Sequence, residues 1–278
     1  MSRIDDNCPH ISFNGDALVH YSKQGAYGDK AKRQFEDALS RTLSVLWQES
    51  GTGRALLLAI EATAMENGTH LEIVPFTPKE QKDRPKSAAF TSVLFWEKAA
   101  PKGVRGFVGK VDDPKTPQDE RFERDSFRGT GEGSSVEMHY NPFALGDRVK
   151  RFGFLVHELF HALRDMSGLR NPVPTEPALS SYVNHEEYFA MLLENIYRSE
   201  AGSDTLVFYD STEFPEDQKT SVGFLTNTPY GIPNRRLVNK LVNQMTRLCS
   251  NVRDLVDLHV KFHPIREFMH HKMKYQVH

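Results

Sequence analysis

Only two cysteines, Cys8 and Cys249, occur among 278 residues, and no C-x-x-C pair exists. That excludes a disulfide framework and suits folding in a reducing cytosol. No run of 18 apolar residues is present, so no membrane-spanning helix is expected. The start of the chain, MSRIDDNCPHISFNGDALVHYS, lacks a basic segment followed by an apolar one, so no secretory signal peptide is expected. A polar start of this kind is compatible with export by a signal-peptide-independent machine. The net charge of −2 offers no basic excess for nucleic acid or acidic lipid. Internal repeats and low-complexity segments are missing too. What is present is ordinary for a globular chain: 38% hydrophobic residues, 26% charged, and enough length to bury a core.

Phe35, Leu39, Leu43, Leu46 and Trp47 recur at three- and four-residue steps, which predicts a helix over 27–49. Gly51-Thr52-Gly53 reads as a break, followed by a second helix ending at Asn67-Gly68. HLEIVPF (70–76) and AAFTSVLFWE (88–97) read as strands, with Pro75 marking an edge or a strand end. Glycine, proline and charge dominate 100–134, which suggests a short hairpin followed by a long exposed loop. SVEMHYNPF (135–143) is a short strand closed by Asn-Pro. A helix over about 147–167 follows, with Asp147 as N-cap and Gly168 as its stop. Another helix covers about 184–200. Beyond irregular sequence to Pro233, Asn234 caps a helical pair. The expected domains are a flexible N-terminal segment (1–26), a folded unit (27–260) and a basic, histidine-rich tail (261–278).

The segment FGFLVHELFHALRDMSG (152–168) carries the chemistry. Residues i and i+4 of a helix stack on one face, so His157 and His161 can aim ring nitrogens at one point. Neutral imidazole binds zinc at about 2.0–2.1 Å. Zinc lowers the pKa of the water it binds towards about 7, and Glu158 beside it can take that proton and later protonate a leaving amine. This is the H-E-x-x-H logic of zinc peptidases. A five-residue pattern also arises by chance. Here, however, Leu155, Val156, Leu159, Phe160, Ala162 and Leu163 surround the polar trio, and burying it without a partner would cost about 1–3 kcal/mol or more per group. A metal ion supplies the partner.

A catalytic zinc needs a third protein ligand. SYVNHEEYFAMLLENIYRSE (181–200) offers Glu186 and Glu187 on a buried helix, about 100° apart, so only one can face the ion. The Glu187–Ala190 string resembles the E-F-F-A segment of lethal-factor-type toxin peptidases, in which the glutamate is the third ligand. That resemblance selects Glu187 and keeps Glu186 as the alternative. More broadly, H-E-L-x-H-A-L-R-x-M-x-G followed by N-x-E-E-Y-x-A-x-x-x-x-N-I-Y-x-S-E resembles the NleD-like zinc metallopeptidases among bacterial effectors. GRALLLAIE, LEIVPF and S-V-x-M-x-Y-N-P extend the likeness over about residues 50–200. It implies an α+β, zincin-like domain in which a small sheet packs on the H-E-x-x-H helix and a glutamate-bearing helix follows. It also implies a gluzincin-like peptidase that leaves the bacterial cytoplasm and acts in the cytosol of a target cell, cutting host signalling proteins such as mitogen-activated protein kinases.

Around this centre, Tyr182 is a candidate to support the oxyanion, with His185 as its substitute or as an orienter of Glu187. Asp165, four residues past His161, is either a second-layer orienter or a helix-end charge. His139 on the SVEMHY strand is a remote candidate ligand and more simply a surface residue. The strand itself is a candidate to bind substrate as an added strand. The tail histidines His259, His263, His270, His271 and His278 lack ligand spacing and are expected to be exposed. Two readings follow. One is a zinc endopeptidase with one Zn²⁺ per chain, a protein substrate, no nucleic acid and no membrane. The other is an interaction protein with a structural zinc, disfavoured because such sites are usually closed by four ligands and rich in cysteine.

Overall fold

The structure, a computed structural model, describes residues 3–5, 7–21, 25–76, 89–107, 126–143, 147–272 and 275. In chain order its strands are β1 (Arg3–Ile4), β2 (Ile11–Phe13), β3 (Leu71–Val74), β4 (Ala89–Val93), β5 (Arg105–Phe107), β6 (Ser126–Arg128) and β7 (Val136–Tyr140). The helices are α1 (Asp16–Tyr21), α2 (Gly25–Glu49), α3 (Gly51–Asn67), α4 (Trp96–Ala99), α5 (Arg148–Met166), α6 (His185–Glu200), α7 (Ser221–Thr226), α8 (Gly231–Gln244), α9 (Thr246–Leu255) and α10 (Pro264–His270). The architecture is α+β, with a small mixed sheet and the helices around it.

The main sheet runs β1-β2-β3-β7-β4. Its centre is parallel, β2 with β3 and β3 with β7, while β4 pairs antiparallel with β7 through Phe90–His139, Thr91–Met138 and Ser92–Glu137. Leu71, Ile73, Val136, Met138 and Tyr140 are buried, as expected for interior strands covered by helices. The strand predicted to receive an added strand, β7, is therefore paired on both sides. Among the described residues, β4 is the sheet edge on the α5 side, and β4 and β7 both lie against α5.

The two termini correct the expected domain limits. Within 1–26, β2 lies beside β3, and Cys8, Ile11 and Phe13 are buried, so this segment completes the core rather than trailing from it. Three residues of alternation are too few to announce a strand. The tail from 261 likewise packs Phe262, Ile265, Phe268 and Tyr275 into the core. His263 is buried there, capping α10 through Arg266 N–H and bonding the Val252 carbonyl at 3.1 Å. His259, His270 and His271 are exposed as expected, and His278 lies outside the described residues.

Gly51 and Gly53 begin α3 rather than break the chain before it. A Cβ at Gly51 would stand 2.2 Å from the Leu255 carbonyl oxygen, so glycine lets α3 and the end of α9 approach closely. Ser50 caps α3, and the Glu200 carboxylate at the end of α6 accepts from the Ser50 hydroxyl and the Gly51 and Thr52 amides. An anion at a helix N-terminus is favourable, and here it also ties α6 to α3. Asn234 lies inside α8, where it accepts from Tyr188 Oη and donates to the Phe224 carbonyl. β5 and β6 pair antiparallel from the two sides of residues 108–125, which lie outside the described residues, so this strand pair brackets much of the segment in which a short hairpin followed by a long loop was expected.

Candidate metal centre

α5 begins where Asp147 accepts from Lys150 N–H at 2.7 Å, and it ends where Gly168 takes a left-handed conformation, φ 64°. α6 begins in the same way, with the Asn184 side chain accepting from Glu187 N–H at 3.0 Å. α5 packs against α6, α3, β4 and β7, so the centre of α5 is buried. Only its polar residues need an explanation.

His157 Nε2 and His161 Nε2 are 3.1 Å apart. Glu187 Oε2 lies 3.2 Å from the first and 3.4 Å from the second. Ligand bonds of about 2.0–2.1 Å at a tetrahedral ion would separate neighbouring donors by about 3.3 Å. Three nearly equal edges of that length fit a metal ion better than they fit a hydrogen-bond chain, since one N–H cannot serve all three contacts. Both histidines are buried and Glu187 is half-buried. The group can hold a metal ion.

The charge pattern agrees. Burial alone would lower the His157 pKa, but the Glu187 and Glu194 carboxylates outweigh it and hold it up at about 10. Burial would likewise raise the Glu187 carboxyl, yet His161 and His157 keep it well below the ordinary carboxylate range. Two imidazoles and a carboxylate thus share a pocket whose charges favour a bound cation.

Glu186 is excluded as the third ligand. It turns the other way, accepting Arg164 Nε at 3.0 Å, Arg164 Nη2 at 2.7 Å and Asn171 N–H at 2.8 Å. Arg164 is fully buried and also binds Gln244 of α8. The pair locks α5, α6 and the loop after α5 together.

Three further residues complete the surroundings. Glu194, on the Glu187 face two turns along α6, places Oε2 3.3 Å from His157 Nδ1. Its other oxygen accepts from Arg198 at 2.7 Å and 2.9 Å. Thr91 on β4 donates to Glu158 Oε2 at 2.6 Å. Tyr209 stacks on His157, with ring centroids 6.5 Å apart and planes at 28°. Glu194 had a sequence signal, since seven residues past Glu187 is the same helical face. Thr91 and Tyr209 had none, because they arrive from distant elements.

The second-tier candidates are placed elsewhere. Tyr182 is 3% exposed and packs edge-on against Tyr188 at 5.0 Å and Phe208 at 5.8 Å. Burial, then Asp210, raises its hydroxyl well above the ordinary range. The ring lies in the core, so standing five residues before Glu187 in the sequence does not bring it to the ligand triangle. His185 pairs with Lys240 Nζ at 3.0 Å, and its pKa is lowered by burial and then by that lysine. Asp165 binds Arg170 at 2.7 Å rather than a ligand histidine. His139 stacks on Phe90 at 4.2 Å and bonds Glu137. Neither cysteine joins the group; both are buried, Cys8 near the Leu57 carbonyl and Cys249 in α9.

No family model, curated protein or solved structure matches this chain. No described helix is long and apolar enough to cross a membrane.

Proposed function

We propose that the protein is a zinc-dependent endopeptidase of zincin-like fold, with His157, His161 and Glu187 holding the ion. The observation that carries the reading is the 3.1, 3.2 and 3.4 Å triangle of donor atoms on two helices. When bound, zinc would polarise the scissile carbonyl and acidify water. Glu158, one residue from His157 and only partly buried, takes the proton of the attacking water and gives it to the departing amine. Thr91 fixes one of its oxygens, which leaves the other for that transfer. A structural zinc would leave Glu158 without a task and would ordinarily recruit cysteine.

Among the described residues β4 has no strand on its outer side, which suits a protein substrate bound in extended form, because main-chain hydrogen bonds would then run beside Thr91 and Glu158. The effector resemblance supports a host signalling protein as that substrate, reached by export without a signal peptide. The test compares wild type with Glu158→Gln by proteome-wide mapping of new protein termini. Glu158→Gln is expected to retain zinc and lose cleavage, whereas His157→Ala and His161→Ala lose zinc in elemental analysis. Cleavage by Glu158→Gln at the wild-type rate would refute the assignment.

A further inference from the structure

The segment from Leu206 to Phe214 is a tight hairpin standing over α6. Val207 bridges Glu213, Phe208 N–H bonds the Thr212 carbonyl at 2.8 Å, and Phe214 N–H bonds the Leu206 carbonyl at 2.8 Å. Ser211 N–H returns to the Phe208 carbonyl at 3.0 Å with Ser211 at φ 68°, and Asp210 Oδ1 accepts from both the amide and the hydroxyl of Thr212. Asn195 of α6 grips Val207 at both its carbonyl and its amide, at 2.8 and 2.9 Å. Leu206, Phe208 and Phe214 are buried, and the Tyr182 ring braces Phe208. Tyr209, at the tip, is 42% exposed. Its hydroxyl has no hydrogen-bond partner among the described residues.

We infer that Tyr209 is a catalytic residue whose hydroxyl donates a hydrogen bond to the substrate carbonyl oxygen as negative charge builds there. The inference rests on the zinc peptidase reading above. Such a donor must be held rigidly beside the reacting atoms before the reaction begins. Tyr209 meets that need: its ring lies on His157, and it is fastened to the helix that carries Glu187. The other donors considered are committed elsewhere: Tyr182 to the core and His185 to Lys240. Tyr182 then acts indirectly, as the brace beneath the hairpin.

The test uses the full chain labelled with 3-fluorotyrosine, with the Tyr209 resonance assigned from Tyr209→Phe and zinc sulfate as the probe. The Tyr209 fluorine signal is expected to shift as zinc is taken up, and Tyr209→Phe should bind zinc within about twofold of wild type. On a cleavage site found by terminus mapping, Tyr209→Phe should lower kcat by about 10²–10³ while KM stays within threefold. Zinc uptake without a shift of that signal, or wild-type kcat in Tyr209→Phe, overturns the role of Tyr209 alone. Failure of the wild type to take up zinc overturns the peptidase reading and this inference together.

Discussion

Glu194 Oε2 stands 3.3 Å from His157 Nδ1, on the ring edge away from Glu187. Gly153, one turn before His157, makes room for it: a Cβ there would approach Glu194 Oε1 to 3.1 Å. A carboxylate on the far nitrogen of a ligand imidazole fixes the tautomer that leaves Nε2 free for metal. Burial disfavours the Glu194 charge, but His157 and Arg198 more than compensate and lower its pKa. Glu194→Gln is accordingly expected to weaken zinc binding by about 10–100-fold, read by chelator competition. Unchanged affinity would show that His157 is oriented by packing alone.

Thr91 connects the sheet edge to the residue assigned to proton transfer. Its hydroxyl lies 2.6 Å from Glu158 Oε2 and 3.2 Å from the Glu158 carbonyl oxygen. Thr91→Val keeps the shape of the side chain and removes the donor. A hydrogen bond to a charged group is worth about 1.5 kcal/mol at the low end, so kcat should fall about tenfold with zinc content unchanged. Stopped or unaltered turnover would each contradict a purely positioning role.

The two central helices were legible in the sequence because their signals are local. Asp147, Gly168 and Asn184 mark ends, and His157 and His161 share a face by spacing alone. Glu186 and Glu187 could not be separated by spacing. Their difference is made by Arg164, which claims Glu186, and a pairing across 22 residues has no local pattern. Short strands were lost for the same reason. β2 is three residues long, and only the neighbouring β3 makes it a strand. Tyr182 misled because nearness in sequence to Glu187 does not place a side chain beside it across the turn before Asn184. Tyr209 reaches His157 from a hairpin whose placement depends on Asn195, Phe208 and Phe214 together.

The buried pair of Arg164 and Glu186 separates architecture from chemistry. Removing one partner of such a pair costs about 3–5 kcal/mol, because the other is left charged in the core. Glu186→Ala should therefore lower chemical-denaturation stability by that amount in metal-free protein. Glu187→Ala should abolish zinc binding and cost the metal-free fold less than Glu186→Ala does, because the Glu187 carboxylate is half-buried and faces histidines rather than a fully enclosed arginine. Equal destabilisation by the two variants would mean that Glu187 also serves the architecture.

Asp165 gives a pH signature. It is fully buried, Arg170 satisfies one oxygen, and Oδ1 has no hydrogen-bond partner among the described residues. Burial, only partly offset by Arg170 and His161, raises its pKa from 3.8 to about 6. Because the folded value lies above the unfolded one, the native chain holds this proton more tightly. Its contribution is most favourable below about pH 4, declines as pH rises through about 6, and is constant above that. The full difference is on the order of 3 kcal/mol. Asp165→Asn has no proton to lose, so its stability relative to wild type should climb between pH 4 and 6 and then level off. Urea denaturation of both proteins in chelator at pH 4.5 and 7.5 measures this. A stability difference that is the same at both pH values would show that Asp165 stays ionised in the folded chain, with Arg170 outweighing its burial.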